Sequence, residues 1–209
     1  MKNVYISDLP LLKERIGILR NKETETAVFR KTVLECGELL SIDISHDLPT
    51  IEATIQTPLE ETKSLQLKHP ITVVAILRAA LGMVEGLLRY LPQAKVGHIG
   101  IYRNEETLQP VKYFYKMPKD IGLGPVILAD PMLATGGSLI TTISELVNDI
   151  SLDSLRIATL IATPEGIEAV HKVYPTVPIY TASVDRQLNE NGYILPGLGD
   201  AGDRQYGTL

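Results

Sequence analysis

Twelve consecutive residues, Ile127-Leu128-Ala129-Asp130-Pro131-Met132-Leu133-Ala134-Thr135-Gly136-Gly137-Ser138, carry the densest chemistry in the chain. An apolar run with the character of a buried strand ends in an acidic residue, a Thr-Gly-Gly-Ser turn follows, and a helical pattern opens at Leu139. Strand, turn and helix N-terminus in that order build an anion site. The glycines let backbone N–H groups converge, and the helix start adds unpaired donors and the positive end of its dipole. Thr135 and Ser138 offer hydroxyl donors, and Asp130 stands where it could face a ribose hydroxyl or a hydrated metal. A phosphate attached to a polyol is the guest that suits such a loop. The plainer alternative is a ligand-free strand-to-helix turn in which Ser138 only caps the helix. The chain lacks G-x-x-x-x-G-K-[ST], so this is not a Walker-type loop.

Two arginines follow apolar runs in the same way. Arg78 closes Ala75-Ile76-Leu77-Arg78, where an unpaired charge beside a buried strand calls for an anion. Arg103 ends Ile99-Gly100-Ile101-Tyr102-Arg103 and opens a polar loop to Pro110 that could close as a hairpin lid, or simply pair Arg103 with Glu105 or Glu106. The tail from Asn189 to Leu209 is rich in glycine, and Gly197-Leu198-Gly199-Asp200-Ala201-Gly202 satisfies G-x-G-x-x-G literally. No helix-length segment is expected after it, so it is rejected as a dinucleotide fingerprint. Tyr193-Ile194-Leu195-Pro196 could instead pack down and hold a tight turn whose exposed N–H and C=O groups read the edge of a flat heterocycle; the alternative is a mobile terminus. His46, His69, His98 and His171 show no metal-ligand spacing and no nucleophile partner, and they read as structural or surface residues. Cys36 is the one cysteine, which excludes an intrachain disulfide and suits a small core position in a helix.

The elements that must position these residues alternate. A long helix is expected over Glu23 to Ile44, then an extended stretch with Ile51, Ala53 and Ile55 alternating between Pro49 and Pro58. Strands follow at Ile71 to Leu77, Lys95 to Tyr102, Val111 to Tyr115, Val126 to Ala129, Leu155 to Ala162 and Pro178 to Val184. Helices are expected at Gly82 to Leu91, Leu139 to Ile150 and Pro164 to Tyr174. This rhythm predicts an α/β fold with a mostly parallel sheet covered by helices on both faces. Ligands in such sheets gather beyond the carboxyl ends of the strands, which picks out Arg78, Arg103, Asp130 to Ser138 and the loop beyond Val184 together. At 209 residues the chain fits one domain. Its hydrophobic content of 44% and charged content of 22% are those of an ordinary globular protein. A formal net charge of −5 argues against a broad nucleic-acid surface, yet leaves room for a local polyphosphate pocket built from a few arginines. No run of about 20 apolar residues and no signal-peptide pattern occurs, so neither a membrane span nor export is expected and the cytoplasm is the expected location.

The segment Asp130-Pro-Met-Leu-Ala-Thr-Gly-Gly-Ser138, taken with Tyr193-Ile-Leu-Pro-Gly-Leu-Gly-Asp-Ala-Gly-Asp-Arg204, resembles the uracil phosphoribosyltransferases of the type I phosphoribosyltransferase superfamily. The resemblance spans almost the whole chain and includes Ile18-Leu-Arg20, Phe29-Arg30, Arg103-Asn-Glu-Glu-Thr-Leu108 and Pro164-Glu-Gly166. The first segment is a general signature for phosphoribosyl diphosphate (PRPP); the tail is narrower and selects uracil. The resemblance implies a single domain over residues 1–209 with a base-binding segment at about 185–209. It implies that Asp130, Pro131, Met132, Leu133, Ala134, Thr135, Gly136, Gly137 and Ser138 bind the ribose hydroxyls and 5-phosphate of PRPP, and that Arg78 and Arg103 bind its diphosphate. Ile194, Gly199 and Ala201 would hold uracil largely through backbone contacts. Asp200 would lie at the junction with PRPP, and Arg78, Arg103 and Asp200 would serve catalysis.

The implied reaction takes uracil and PRPP to UMP and diphosphate with Mg²⁺. Attack of uracil N1 opposite the leaving diphosphate would invert the anomeric carbon, and discrimination against cytosine would rest on a backbone N–H facing the C4 oxygen. The metal would be carried by the PRPP diphosphate rather than by protein ligands. A homodimer or higher homo-oligomer and a GTP effector are further implications, with no nucleic-acid or membrane partner. Two departures stand out. Pro131 follows Asp130 where the wider PRPP-binding group has a second acidic residue, as expected of the uracil branch, and this removes a candidate metal ligand. Ala80 stands where the family often has glycine; its methyl disfavours positive φ, so an altered diphosphate loop is expected. A PRPP-sensing regulator that binds RNA would need a basic face that the chain does not supply, and a transferase for a purine base is disfavoured by the tail.

Overall fold

A computed structural model describes residues 1–103 and 110–208. In chain order, β1 (Val4–Ile6) and α1 (Pro10–Arg20) precede the long helix α2 (Thr26–Ser45). The hairpin strands β2 (Thr50–Gln56) and β3 (Glu61–Leu67) come next. Then follow β4 (Thr72–Leu77), α3 (Leu81–Tyr90), β5 (Lys95–Arg103), β6 (Pro110–Lys116), β7 (Val126–Ala129), β8 (Met132–Leu133) and α4 (Gly137–Leu146). The chain ends with β9 (Leu155–Ala162), α5 (Pro164–Val173), β10 (Ile179–Val184), β11 (Gln187–Leu188), β12 (Ile194–Leu195) and α6 (Ala201–Tyr206).

The central sheet runs β1-β10-β9-β7-β4-β5-β6, with the short β8 also pairing β9. Every pairing along it is parallel except β5 with β6. Its middle strands are continuous apolar runs because both faces are covered, and alternate residues feed two cores. Val73, Ala75, Ile127 and Ala129 pack with α1, α2 and α3 on one face. Val74, Ile76, Val126 and Leu128 pack with α4 and α5 on the other. The α/β architecture with helices on both faces is therefore as expected.

The differences have local reasons. The expected helix from Leu139 to Ile150 begins two residues earlier, at Gly137, and stops at Leu146. There the N–H groups of Asp149 and Ile150 both turn back to the Leu146 carbonyl, at 2.8 and 3.0 Å. Helix α1 is not among the expected elements although it carries a sequence signal: Pro10 opens it, and Leu12, Ile16 and Leu19 form its buried stripe. The segment after β10 is a small antiparallel hairpin, Gln187 and Leu188 against Leu195 and Ile194, rather than a structureless tail. Helix α6 begins at Ala201, inside Gly197–Gly202, and ends at Tyr206, so no helix-length segment follows the glycines, as expected. The expected lid falls on residues 104–109, which lie outside the described residues.

Candidate active site

Strands β4, β5, β7, β9 and β10 run parallel, so their carboxyl ends share one edge. Arg78 follows β4, Arg103 closes β5, Asp130 follows β7 and Asp185 follows β10. Register brings the first and third together in the sheet: Ala75, three residues before Arg78, pairs with Ala129, the residue before Asp130. The backbone of Arg103 lies at this edge; its side chain is outside the described residues.

The loop from Asp130 to Ser138 lines a cavity of about 60 Å³ that ends on the first turn of α4. Gly136, not Ser138, occupies the N-cap position, with φ of 81°. Only glycine adopts that conformation without strain. Thr135 Oγ1 accepts from the Gly137 N–H at 3.5 Å, and Ser138 lies within the helix's first turn, exposed to the cavity mouth. The loop is braced from behind by the start of α5. Thr163 donates its hydroxyl to the Ala134 carbonyl at 2.6 Å, its N–H donates to the Leu133 carbonyl at 3.0 Å, and its Oγ1 accepts from the Gly166 N–H at 3.0 Å. A methyl at Gly166 would come within 2.3 Å of the Ala134 oxygen, so the close approach depends on that glycine. Pro164-Glu-Gly166 thus supports the loop from Asp130 to Ser138. The Asp130 carboxyl accepts from the Met132 N–H at 3.3 Å. Burial outweighs this single donor and pushes its pKa up to about 7.

Arg78 is half-exposed and meets the C-terminal segment. Its Nη2 lies 3.3 Å from Asp203 Oδ1 and 3.4 Å from Thr208 Oγ1, and its guanidinium stands 5.6 Å from the Tyr206 ring centroid. The Leu77–Arg78 peptide is cis. Gln205 Nε2 donates to the Ala79 carbonyl at 2.7 Å, which docks α6 directly behind Arg78. Ala80 has φ of −78° and ψ of −11° and is buried. The added methyl therefore meets no positive-φ demand, contrary to the altered loop expected from it.

The base-binding candidates form a tight, ordered turn. Ile194 and Leu198 are buried, Ala201 is fully so, and Gly197 and Gly199 both have positive φ, 66° and 78°. A side chain at Gly197 would meet the Ile194 carbonyl at 2.1 Å. Asp200 caps α6, its Oδ1 accepting from the Asp203 N–H at 2.9 Å. Among the described residues the Gly199 and Ala201 amides donate to no backbone or side-chain acceptor, and they remain available to an edge of a planar guest. Sequence reasoning missed Asp203 and Thr208 beside Arg78, and Asp185 beneath the turn. None carries a local signal, because each acts through a partner more than 10 residues away. Of the residues outside the site, Cys36 is buried in α2, where burial pushes its thiol up to about 12. His171 bonds the Val177 carbonyl at 3.0 Å, in keeping with a structural role.

A family model described as uracil phosphoribosyltransferase matches residues 6–208. The chain is 48% identical over 208 residues to a uracil phosphoribosyltransferase of Thermoanaerobacter sp. (strain X514), covering 99% of each. It is 49% identical over 209 residues to that of Clostridium beijerinckii, covering 100% of each. Among solved structures, the AQ2163 protein from Aquifex aeolicus superposes with a TM-score of 0.89 at 37% identity, over 97% of both chains. A hypoxanthine-guanine phosphoribosyltransferase from Bacillus anthracis shares the fold at a TM-score of 0.53 and 17% identity, over 77% of this chain and 80% of that one.

Proposed function

The chain belongs to the uracil phosphoribosyltransferase family, and from that premise we propose how it acts: it transfers the phosphoribosyl group of PRPP to N1 of uracil, giving UMP and diphosphate in pyrimidine salvage. The observation that carries this reading is the docking of the glycine-rich C-terminal segment against Arg78 and Ala79, beside the phosphate loop that follows the neighbouring strand.

The N1–C1 bond forms as the C1–O bond to diphosphate breaks. The electron pair leaves with diphosphate, and the uracil N1 proton passes to solvent. Positive charge on the ribose in the transition state resembles that of glycoside transfer. Negative charge grows on the leaving group, where Arg78 and Arg103 stabilise it. The loop from Asp130 to Ser138 anchors the 5-phosphate, and that remote binding energy orients C1 under the base. Asp130 accepts from the ribose hydroxyls, a partnership that favours its carboxylate form. Ile194, Gly199 and Ala201 read uracil through the backbone, with Asp200 at the junction. Cytosine would set its amino group against a buried N–H donor, a costly mismatch.

The residues fit a metal brought by the substrate. Asp130 is the loop's one carboxylate, Pro131 follows it, and among the described residues no three His, Cys, Asp or Glu side chains converge to hold a metal. When bound, Mg²⁺ would neutralise diphosphate charge. The proposal takes residues 1–209 as one domain, with 185–209 as its base-binding part, in a cytoplasmic homo-oligomer. The exposed apolar hairpin β2–β3 supports the oligomer; a GTP effector rests on the family resemblance alone. Among the described residues no helix is long and apolar enough to cross a membrane.

The direct test incubates the protein with Mg²⁺, PRPP and uracil and assays UMP and diphosphate, with cytosine and hypoxanthine in parallel. UMP from uracil alone is expected, and equal use of hypoxanthine would overturn the reading. Arg78→Ala should lower kcat/KM on the order of 100-fold with little change in melting temperature, as for other lost transition-state donors. Near-normal turnover in that variant would remove Arg78 from the diphosphate role.

A further inference from the structure

Three arginine and aspartate residues outside the proposed substrate contacts converge on the base-reading turn. Asp185 follows β10 and is almost fully buried. Its Oδ2 accepts from the Gly197 N–H at 2.9 Å, and its Oδ1 accepts from the Ser183 hydroxyl at 2.9 Å. Arg20, the last residue of α1, forks onto both carboxylate oxygens, Nη1 to Oδ2 at 2.7 Å and Nη2 to Oδ1 at 2.5 Å. The same Nη1 donates to the Gly197 carbonyl at 2.8 Å. Gly197 is therefore gripped at both of its backbone groups by one ion pair. The next carbonyl, that of Leu198, accepts from Arg204 Nη1 at 2.7 Å. Arg204 also donates to the Leu19 and Asn21 carbonyls, at 2.5 and 2.7 Å, and lies 4.3 Å over the Phe29 ring. Two successive peptide groups directly before Gly199 are thus tied to the end of α1, some 180 residues away in sequence.

The chemistry of the clamp is particular. A planar guanidinium supplies the parallel donors that a carboxylate accepts, and a third direction remains for the Gly197 oxygen. Burial opposes ionisation of Asp185, but the Arg20 fork, the Gly197 N–H and the Ser183 hydroxyl outweigh it and hold the carboxyl below its usual range. The pair stays charged throughout the neutral range. A turn that recognises its guest by backbone groups has no side chain to adjust, so its affinity depends on holding one conformation before the guest arrives.

We propose that Arg20 and Asp185, with Arg204 as a second strap, are positioning residues that hold the 196–200 turn in its uracil-reading conformation and thereby set affinity for the base. The proposal rests on the assignment of that turn to uracil. Releasing the clamp lowers the fraction of molecules in the competent conformation, and apparent base affinity falls by the same factor. The phosphate loop shares none of these hydrogen bonds, so PRPP binding is spared.

Arg20→Lys and Asp185→Asn test this by steady-state kinetics with each substrate varied, together with thermal shifts on adding PRPP or uracil to the full chain. Arg20→Lys keeps the charge and loses the fork; Asp185→Asn keeps an acceptor for Gly197 and loses the charge. The KM for uracil should rise by about tenfold or more, with the KM for PRPP within about twofold of wild type. The PRPP thermal shift should survive while the uracil shift shrinks. If Asp185→Asn folds poorly because it leaves Arg20 without its counter-charge, Arg20→Lys alone decides. An unchanged uracil KM in the folded variants, with only total activity reduced, would assign the clamp to stability and overturn the proposal. Wild-type protein that makes no UMP would instead overturn the assignment of the turn itself, a result the variants cannot mimic.

Discussion

At Asp130, the proposed binding role and stability pull in opposite directions. Burial raises its carboxyl to about 7, and only the Met132 N–H is set against that burial. In the unfolded chain the same group titrates near 4. Between roughly pH 4 and 7 the folded state therefore holds more protons than the unfolded one, and its stability falls as pH rises through that window. Below pH 4 the favourable contribution is complete; above 7 it is gone. Asp130→Asn abolishes this dependence. In melts without substrate the variant's melting temperature should lie a few degrees above wild type at pH 8, and the difference should vanish near pH 4. PRPP affinity should move the other way if Asp130 holds the ribose hydroxyls as proposed: KM for PRPP should rise about tenfold, the loss of a hydrogen bond to a charged group. A variant that melts below wild type at pH 8 would show that the carboxylate is stabilised in the free protein, contrary to its burial.

The loop from Asp130 to Ser138 is an element that cannot stand alone, and α5 is its buttress. Gly166→Ala drives a methyl onto the Ala134 and Leu133 carbonyl oxygens, at 2.3 and 2.9 Å, and backbone atoms cannot swing aside as a side-chain tip would. Overpacking of this kind costs about 1–3 kcal/mol. For a chain of this size that is a drop of about 2–4 °C in melting temperature per kcal/mol. Because the displaced atoms belong to the proposed phosphate cradle, kcat/KM for PRPP should fall by more than the loss of folded protein explains, which active-site titration would separate. Retained affinity with lowered stability would make Gly166 a packing residue only. This loop was legible in the sequence because strand, turn and helix are contiguous and each has its own local signal. The site edge was legible too, since β4, β7 and β9 are mainly apolar, buried runs whose parallel pairing follows from alternation with helices. The C-terminal segment was legible only as a glycine pattern and a family likeness. Strands of two residues and a helix of six have no propensity signal. What orders them is distant: Gln205 on Ala79, Asp185 on Gly197, and Arg20 and Arg204 on successive carbonyls. The α1 helix lay between these cases; its Pro10 start and Leu12, Ile16, Leu19 stripe are local, but the stripe is narrow.

For the whole molecule, the feature least explained by one chain is the hairpin β2–β3. It pairs only with itself among the described residues, and the Pro49 carbonyl accepts from the Lys68 N–H at 2.9 Å across its base. Lys68 and Thr72 bound the short link into β4, so that base lies toward the amino end of β4, opposite the edge that carries Arg78 and Asp130. Both faces carry apolar groups in water: Ile51, Ala53 and Ile55 on one, Leu65 and Leu67 on the other, with Leu65 69% exposed. An isolated two-stranded ribbon is marginal in water, and exposed apolar faces mark surfaces that are covered in use. A second copy of the chain is the cover the proposed homo-oligomer supplies. Sedimentation should then give a mass at least twice the 23.0 kDa of one chain. Replacing Ile51 and Ile55, or Leu65 and Leu67, by lysine should shift that mass toward a single chain, since each lysine would be buried without a partner. The sheet's carboxyl edge is untouched by either pair, so the substituted chain should still gain thermal stability from PRPP. A wild-type protein that sediments as one chain at micromolar concentration would leave the hairpin's apolar faces without this explanation, and a lysine variant that stays assembled would move the interface elsewhere on the fold.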